Sequence, residues 1–189
     1  STFLRNHRDA IAAMDFLVVP TVRFKLLYVW FVIEHDRRRI LHVNVTEHPT
    51  SSWTIQQLRE AFPDEHVLRF LIHDNDTIFS DRVADAISSL EIESTRTAYR
   101  SPWQNGIAER WVGTVRRELL DHVIVIDEQH LRRLLREYVD DYNEDRVHTQ
   151  LRDSPTGRPI EDRPSRDAQI VALPRVGGLH HRYVWRDAA

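Results

Sequence analysis

The sequence predicts an α/β domain: a mixed five-stranded sheet flanked by helices. Three observations carry that expectation. Early in the chain, β-branched and aromatic runs come in close succession with turns between them, the pattern of a meander. From residue 51 onward, helical and strand-like stretches alternate, as in chains whose helices cover a sheet. Two later stretches repeat apolar residues at helical spacing with no strand between them, so the chain ends its core in helices.

Residues 1–13 are polar, with Leu4, Ile11 and Ala12 as scattered apolar positions, and read as a lead-in segment. Met14–Val19 is the first strand and Pro20 closes it. Asp15 lies inside that apolar run, where a carboxylate is costly unless paired or metal-bound. A strand-edge or turn aspartate is the alternative reading. Lys25–His35 is the second strand, Asp36–Arg39 a solvated turn, and Ile40–Thr46 the returning strand. Ser51 or Ser52 can cap a helix that carries Trp53, Ile55, Leu58, Ala61 and Phe62, with Pro63 ending it. Val67–Ile72 is the fourth strand and places His73-Asp74-Asn75-Asp76 at its carboxyl end, the edge where open α/β sheets collect ligands. Ser80 caps a helix with Val83, Ala84, Ile87 and Leu90 on one face, and Ile92–Thr95 is a short fifth strand.

Then comes the most informative stretch. Pro102 and Asn105-Gly106 are breaker signals. A helix pattern follows, with Ile107, Ala108, Trp111, Val112, Val115 and Leu119 within one apolar arc. Glu109, Gly113 and Arg116 fall on the opposite side. Glu109 occupies the first turn, where the helix dipole favours a carboxylate; taken alone it also reads as a solvated glutamate. Glu128–Asn143 is the last long helix, with Leu131, Leu134, Leu135, Tyr138, Val139 and Tyr142 as its apolar face. Tyr142, Asn143, Arg146 and His148 read as a structural lock between that helix and its exit loop. The domain plan is thus lead-in 1–13, core 14–160 and a polar C-terminal appendage 161–189, packed on a neighbour or partly mobile, with Gly177-Gly178 as a turn.

Composition narrows the function classes. There is no cysteine, which excludes disulfides and thiolate zinc sites. No apolar run has membrane-spanning length, and a cytosolic protein is the default. Net charge is −3, which argues against a uniformly basic nucleic-acid coat. Lys25 is the only lysine among 26 basic residues; arginine suits phosphate as a multi-donor fork, although codon composition produces the same bias.

Asp15, Asp74 and Glu109 form the candidate constellation. If the first and fourth strands are neighbours, the two aspartates meet and Glu109 reaches them from its helix. Clustered carboxylates repel unless cations hold them, and an all-oxygen donor set suits Mg²⁺ or Mn²⁺. Two such ions form the apparatus for in-line attack on phosphodiesters.

Four blocks carry a family resemblance: Met14-Asp15-Phe16, Asp74-Asn75-Asp76-Thr77-Ile78-Phe79, Ser101-Pro102-Trp103-Gln104-Asn105-Gly106-Ile107-Ala108-Glu109-Arg110, and Tyr142–His148. On these the chain resembles the integrase catalytic core shared by bacterial insertion-sequence transposases and retroviral integrases. The resemblance covers residues of about 10–160. It implies a ribonuclease H-like fold and a catalytic, metal-holding triad of Asp15, Asp74 and Glu109. It also implies Mg²⁺ or Mn²⁺ as cofactor, with metal-dependent cleavage and DNA strand transfer as the activity. Expected partners are transposon-end and target DNA and further copies of the chain in a homo-oligomer, in a prokaryotic cytoplasm and on the nucleoid when DNA-bound. Gln104, Asn105 and Gly106 would form a loop closing over the scissile phosphate, with a plain turn as the other reading. Arg116 would meet backbone phosphate or stand as a solvated helix charge; Arg110 and Arg117 are weaker candidates of the same kind.

Two departures shape the alternatives. Asp76 stands where the family often has glycine, adding a fourth carboxylate; Asp74 keeps the family interval to Glu109, with 34 residues between them. No helix-turn-helix pattern precedes Asp15, so a catalytic fragment or truncated element is expected. An inert or domesticated core that binds DNA or oligomerises, and a structure-selective nuclease on the same fold, are the competing functions.

Overall fold

The computed structural model describes residues 8–63, 68–74, 78–97, 105–148, 151, 153–158 and 161–187. These divide into two compact units, Ser1–Arg132 and Arg133–Ala189.

The first unit is built on a five-stranded sheet in the order β3-β2-β1-β4-β5. Its strands are β1 (Ile11–Pro20), β2 (Leu26–Glu34), β3 (Ile40–Thr46), β4 (Phe70–His73) and β5 (Glu93–Arg96). β1, β2 and β3 form an antiparallel meander. β4 and β5 run parallel to β1 and to each other. Parallel neighbours need crossover connections, and two helices supply them: α1 (Ser51–Ala61) before β4 and α2 (Asp81–Ser89) before β5. A third helix, α3 (Gly106–Glu118), follows the sheet.

Strand alternation sorts the core into two faces. Ala12 and Met14 of β1 join Trp30 and Val32 of β2 and Leu71 of β4 in a buried cluster with Leu58 of α1 and Val83 and Ile87 of α2. The odd-numbered residues of β1 face the other way, towards α3. There the Phe31 and Trp111 rings lie 4.2 Å apart, both buried. The apolar arc read from the sequence is this contact: Ala108, Trp111, Val115 and Leu119 are all buried, whereas Glu109 and Arg116 are exposed.

Where the chain departs from its sequence pattern, local chemistry explains it. The first strand starts at Ile11 rather than Met14, because pairing with β2 and β4 extends back over Ile11–Ala13, where β4 supplies a partner for each residue. Thr50, not Ser51 or Ser52, caps α1; its hydroxyl accepts from Trp53 N at 3.2 Å, since a cap must precede the first helical residue to reach the third amide. Ser80 holds the cap position of α2 but makes no hydroxyl bond to its amides; its Oγ lies 3.0 Å from Ser51 Oγ. Leu68 and Arg69 precede β4 rather than belonging to it.

In the second unit the polar appendage contains an antiparallel hairpin, β6 (Gln169–Arg175) and β7 (His180–Arg186). Gly177 and Gly178 form its turn, both at positive φ (63° and 92°), conformations glycine adopts without steric cost. Asp145, 6% exposed, is the hub of this unit: Arg158 and Arg175 donate to it at 3.0 and 3.1 Å, and Arg182 lies at 3.6 Å. The expected lock is present too. The Tyr142 and His148 rings meet edge to face at 4.9 Å, Arg146 lies over the Tyr142 ring at 5.5 Å, and Asn143 O accepts from Thr156 Oγ1 at 3.0 Å. α4 (Glu128–Glu144) runs across the boundary between the units. Among the described residues, no helix is long and apolar enough to cross a membrane.

Two measurements check this packing. Trp111→Ala removes a buried ring and should cost about 3–5 kcal/mol in chemical denaturation, whereas Arg110→Ala on the exposed side should change stability by about 0.5 kcal/mol or less. Asp141 is buried on α4, and burial, with Asp145 nearby, pushes its carboxyl above the ordinary 3.8. A raised folded pKa means stability is full below pH 3.8 and is lost as pH rises through the folded value. Asp141→Asn should therefore melt higher than the parent at neutral pH, and the difference should vanish in melts below pH 3.8.

Candidate active site at the carboxyl edge of β1 and β4

The site begins where β1 loses a neighbour. Parallel pairing with β4 covers only Ile11–Ala13, while pairing with β2 continues to Pro20. Past Ala13, one edge of the central strand is open. An open edge leaves backbone donors and acceptors needing partners, and here three residues of the candidate site supply them. Asn105 Nδ2 donates to Met14 O at 3.4 Å. The Phe16 amide donates to Asp15 Oδ1 at 2.7 Å. Arg116 Nη2 donates to Val18 O at 3.4 Å. All three contacts fall on even-numbered residues, whose backbone groups face the β4 side, just as Ala10 O accepts from Arg69 N there at 2.8 Å.

The same register brings the two aspartates together. Ala13 is level with Ile72; continued by two residues, Asp15 is level with Asp74, on strands about 5 Å apart. Both carry the parity of Ala13 and Ile72 and so face α3. α3 begins at Met14 through Asn105 and ends at Val18 through Arg116, so it runs along β1 with Glu109 in its first turn. The register thus sets Asp15 and Asp74 at one level, with Glu109 in the first turn of the helix that starts beside Met14. The three do not form a ready ion cage: among the described residues, no group of three or more His, Asp or Glu side chains is arranged to hold a metal.

Each acid has a distinct setting. Asp15 is half-buried and oriented by the Phe16 amide. Asp74 is half-buried, and Thr97 Oγ1 donates to its Oδ1 at 3.0 Å. Glu109 is exposed. Asn105 is 2% exposed, and its Oδ1 has no hydrogen-bond partner. Gly106 opens α3, with open space where a Cβ would stand. Gln104 and Asp76 lie outside the described residues.

Sequence reading alone missed two residues. Thr97 follows β5 and reaches Asp74 only because β4 and β5 pair in parallel. His73, 1% exposed, bridges the same strands. Its Nδ1 donates to the Asp74 carbonyl at 2.9 Å, which leaves Nε2 to accept from Ser94 Oγ at 2.8 Å. Burial lowers its pKa, so the ring is held neutral. No local pattern marks either residue, because each partner arrives from a different strand.

Asp15, Asp74 and Glu109 are oxygen donors of the kind hard divalent cations take, but as described they do not converge on one ion.

The comparisons with known proteins bear on the fold. The family model for the integrase core domain matches residues 90–155, which include Glu109 and α3. No curated protein matches the chain in sequence. Among solved structures, a chain of the simian T-cell lymphotropic virus intasome, in complex with PP2A regulatory subunit B56 gamma, is similar with TM-score 0.67 at 18% identity. That match covers 94% of this chain and 66% of the viral one. The HTLV-2 integrase catalytic core domain, in complex with magnesium in a trimeric form, is similar with TM-score 0.60 at 15% identity, covering 78% of this chain and 94% of that one. The catalytic domain of Mos1 mariner transposase is similar with TM-score 0.60 at 16% identity, covering 73% and 76% respectively. The chain carries the ribonuclease H-like fold of integrase and transposase catalytic cores, and the integrase-core resemblance read from its motifs holds.

Thr97→Val keeps the shape of the side chain and removes the donor to Asp74. It should leave the melting temperature within a few degrees of the parent, because one hydrogen bond to a charged group contributes about 1.5–3 kcal/mol at most. The Asp74 carboxyl resonance should shift in carbon-13 NMR; an unchanged resonance would mean that Thr97 does not orient Asp74.

Proposed function

We propose that the chain is the catalytic core of a DNA transposase or integrase, performing metal-dependent phosphodiester cleavage and DNA strand transfer. The observation that carries this reading is the shared level and face of Asp15 and Asp74 on adjacent parallel strands, with α3 bringing Glu109 to the same edge. Residues 14–160 are assigned to the core, 1–13 to a lead-in and 161–189 to an appendage.

Asp15, Asp74 and Glu109 would hold Mg²⁺ or Mn²⁺; the magnesium in the HTLV-2 neighbour supports that choice. When bound, such ions lower the pKa of a water or 3′-hydroxyl and stabilise the leaving oxygen. The chain's own residues do the positioning. The Phe16 amide and Thr97 hydroxyl orient the two aspartates. Asn105 fixes the start of α3 to β1, and Glu109 in the first turn would reach the edge from there. Asn105 and Gly106, with Gln104 before them in sequence, would belong to the loop closing over the scissile phosphate, and there is open space where a Gly106 Cβ would stand. Arg116, on the Glu109 side of α3, offers its remaining guanidinium donors to a phosphate further along the DNA. The partners are transposon-end and target DNA and further copies of the chain, and the setting is a prokaryotic cytoplasm with nucleoid association on DNA.

Asp15→Asn, Asp74→Asn and Glu109→Gln should each abolish strand transfer from a donor-end oligonucleotide in Mn²⁺ while keeping the parental circular dichroism spectrum. Asp76→Gly should cost much less. Near-normal transfer by any triad variant would remove that residue from the site, and metal-dependent nicking without transfer product would favour the nuclease reading.

Metal binding also has a stability readout. An ion that binds only the folded arrangement adds about 2.7 kcal/mol at a hundredfold excess over Kd. Mn²⁺ should raise the parental melting temperature over chelator, and Asp74→Asn should respond less.

A further inference from the structure

The turn between β1 and β2 breaks the rule for turns of its kind. Thr21 N donates to Lys25 O at 2.8 Å, which closes a three-residue loop of Val22, Arg23 and Phe24. The third position of such a loop is left-handed and is normally given to glycine. Here it is Phe24, at φ 60° and with 90% of its surface exposed. A bulky side chain in that backbone region is a strained choice. The turn is nevertheless firmly made: Phe24 N donates to Thr21 O at 2.9 Å, Lys25 N to Thr21 Oγ1 at 3.1 Å, and Val22 N to Val125 O at 2.7 Å. A large ring is thus held out in water on a pinned loop, and nothing in the core benefits.

The flanks indicate what the ring meets. Arg23 and Lys25 stand on either side of it, both exposed; Lys25 is 3.1 Å from Glu47. The tip lies at the carboxyl end of β1, beyond the acids. From Asp15 to Thr21 is on the order of 20 Å of strand, about six base pairs of duplex rise. Between them, the outward side of α3 runs from Glu109 past Gly113 to Arg116, which is anchored at Val18. Asp15, the Arg116 anchor at Val18 and the tip therefore follow one another along β1. An apolar side chain flanked by cations matches the means by which proteins unstack a duplex step while neutralising its phosphates.

We infer that the β1–β2 turn is a wedge: Phe24 inserts into the base stack of duplex DNA lying along the acid edge, with Arg23 and Lys25 on the adjacent phosphates. The identity of the ligand rests on the DNA-processing reading above. The wedge acts several base pairs from the reacting phosphodiester, and its task is to bend or open the duplex it grips.

The test uses the full chain and a fluorescein-labelled duplex oligonucleotide, with and without a central tandem mismatch, followed by fluorescence anisotropy at low salt. The parent should prefer the mismatched duplex several-fold, because unstacking there is already partly done. Phe24→Gly should weaken binding about tenfold, in line with the loss of one aromatic stack, and erase the mismatch preference. It should melt no lower than the parent, since glycine suits the turn. Phe24→Trp should keep the preference and show emission quenched by DNA relative to the parent. Arg23→Ala should lower the salt dependence by about one phosphate contact.

Equal binding of both duplexes by Phe24→Gly and parent would overturn the inference. So would loss of self-association by Phe24→Gly in sedimentation with DNA binding unchanged, which would make the tip a docking knob for another copy. The two readings fail separately. Phe24-dependent binding without strand transfer sinks the catalytic assignment and keeps the wedge; strand transfer with Phe24-indifferent binding does the reverse.

Discussion

The structure depends on a mismatch of strand lengths. β1 is the central strand, paired along its whole length with β2 but with β4 only over Ile11–Ala13. Beyond that point the chain must satisfy Met14 O, Phe16 N and Val18 O by other means. Asn105, the Asp15 carboxylate and Arg116 meet those needs. The unpaired edge is therefore the feature that docks α3 and that leaves β1 open on the side of Asp74. Had β4 continued level with β1 to Pro20, the sheet would have been more complete and the acids would have had no opening.

The same arrangement explains why α3 carries two kinds of residue. Its buried stripe, Ala108, Trp111, Val115 and Leu119, is anchored on the sheet through Phe31. Its outward side carries Glu109 and Arg116, and the polar contacts at its two ends set how far along β1 it sits. Hydrophobic burial supplies most of the stabilisation, but it is not directional. The weak bonds at Met14 and Val18 supply register, so a shift of α3 by one turn would carry Glu109 away from the aspartates by about 5 Å.

Rigid support for the acids comes from within the sheet. Thr97 and His73 tie the end of β4 to β5, and His73 does so as a neutral ring because burial disfavours its charge. These contacts hold Asp74 in place from the β5 side. At the far end of β1 the chain does the opposite: it places a phenylalanine where glycine would relax the turn, an exception to local preference of the sort found at functional positions.

Much of this was legible in the sequence. The strands β1, β2 and β3, the helices α1, α2, α3 and α4, and the motif around Glu109 follow from periodicity and breaker residues, because amphipathic spacing records which side of an element is buried. The triad residues were named by motif and by the improbability of a carboxylate in an apolar strand. The tertiary structure alone decided what depends on pairing between distant segments. The β1–β4 register sets Asp15 level with Asp74, Thr97 reaches Asp74 across the β4–β5 ladder, and Arg158, Arg175 and Arg182 converge on Asp145. The hairpin β6–β7 escaped notice because Pro174 interrupts the apolar run Ile170–Leu173, and a proline inside a run argues against a strand until its partner is seen. Local spacing encodes the side that an element buries; which other element it meets, and at what level, is settled only when the chain closes on itself.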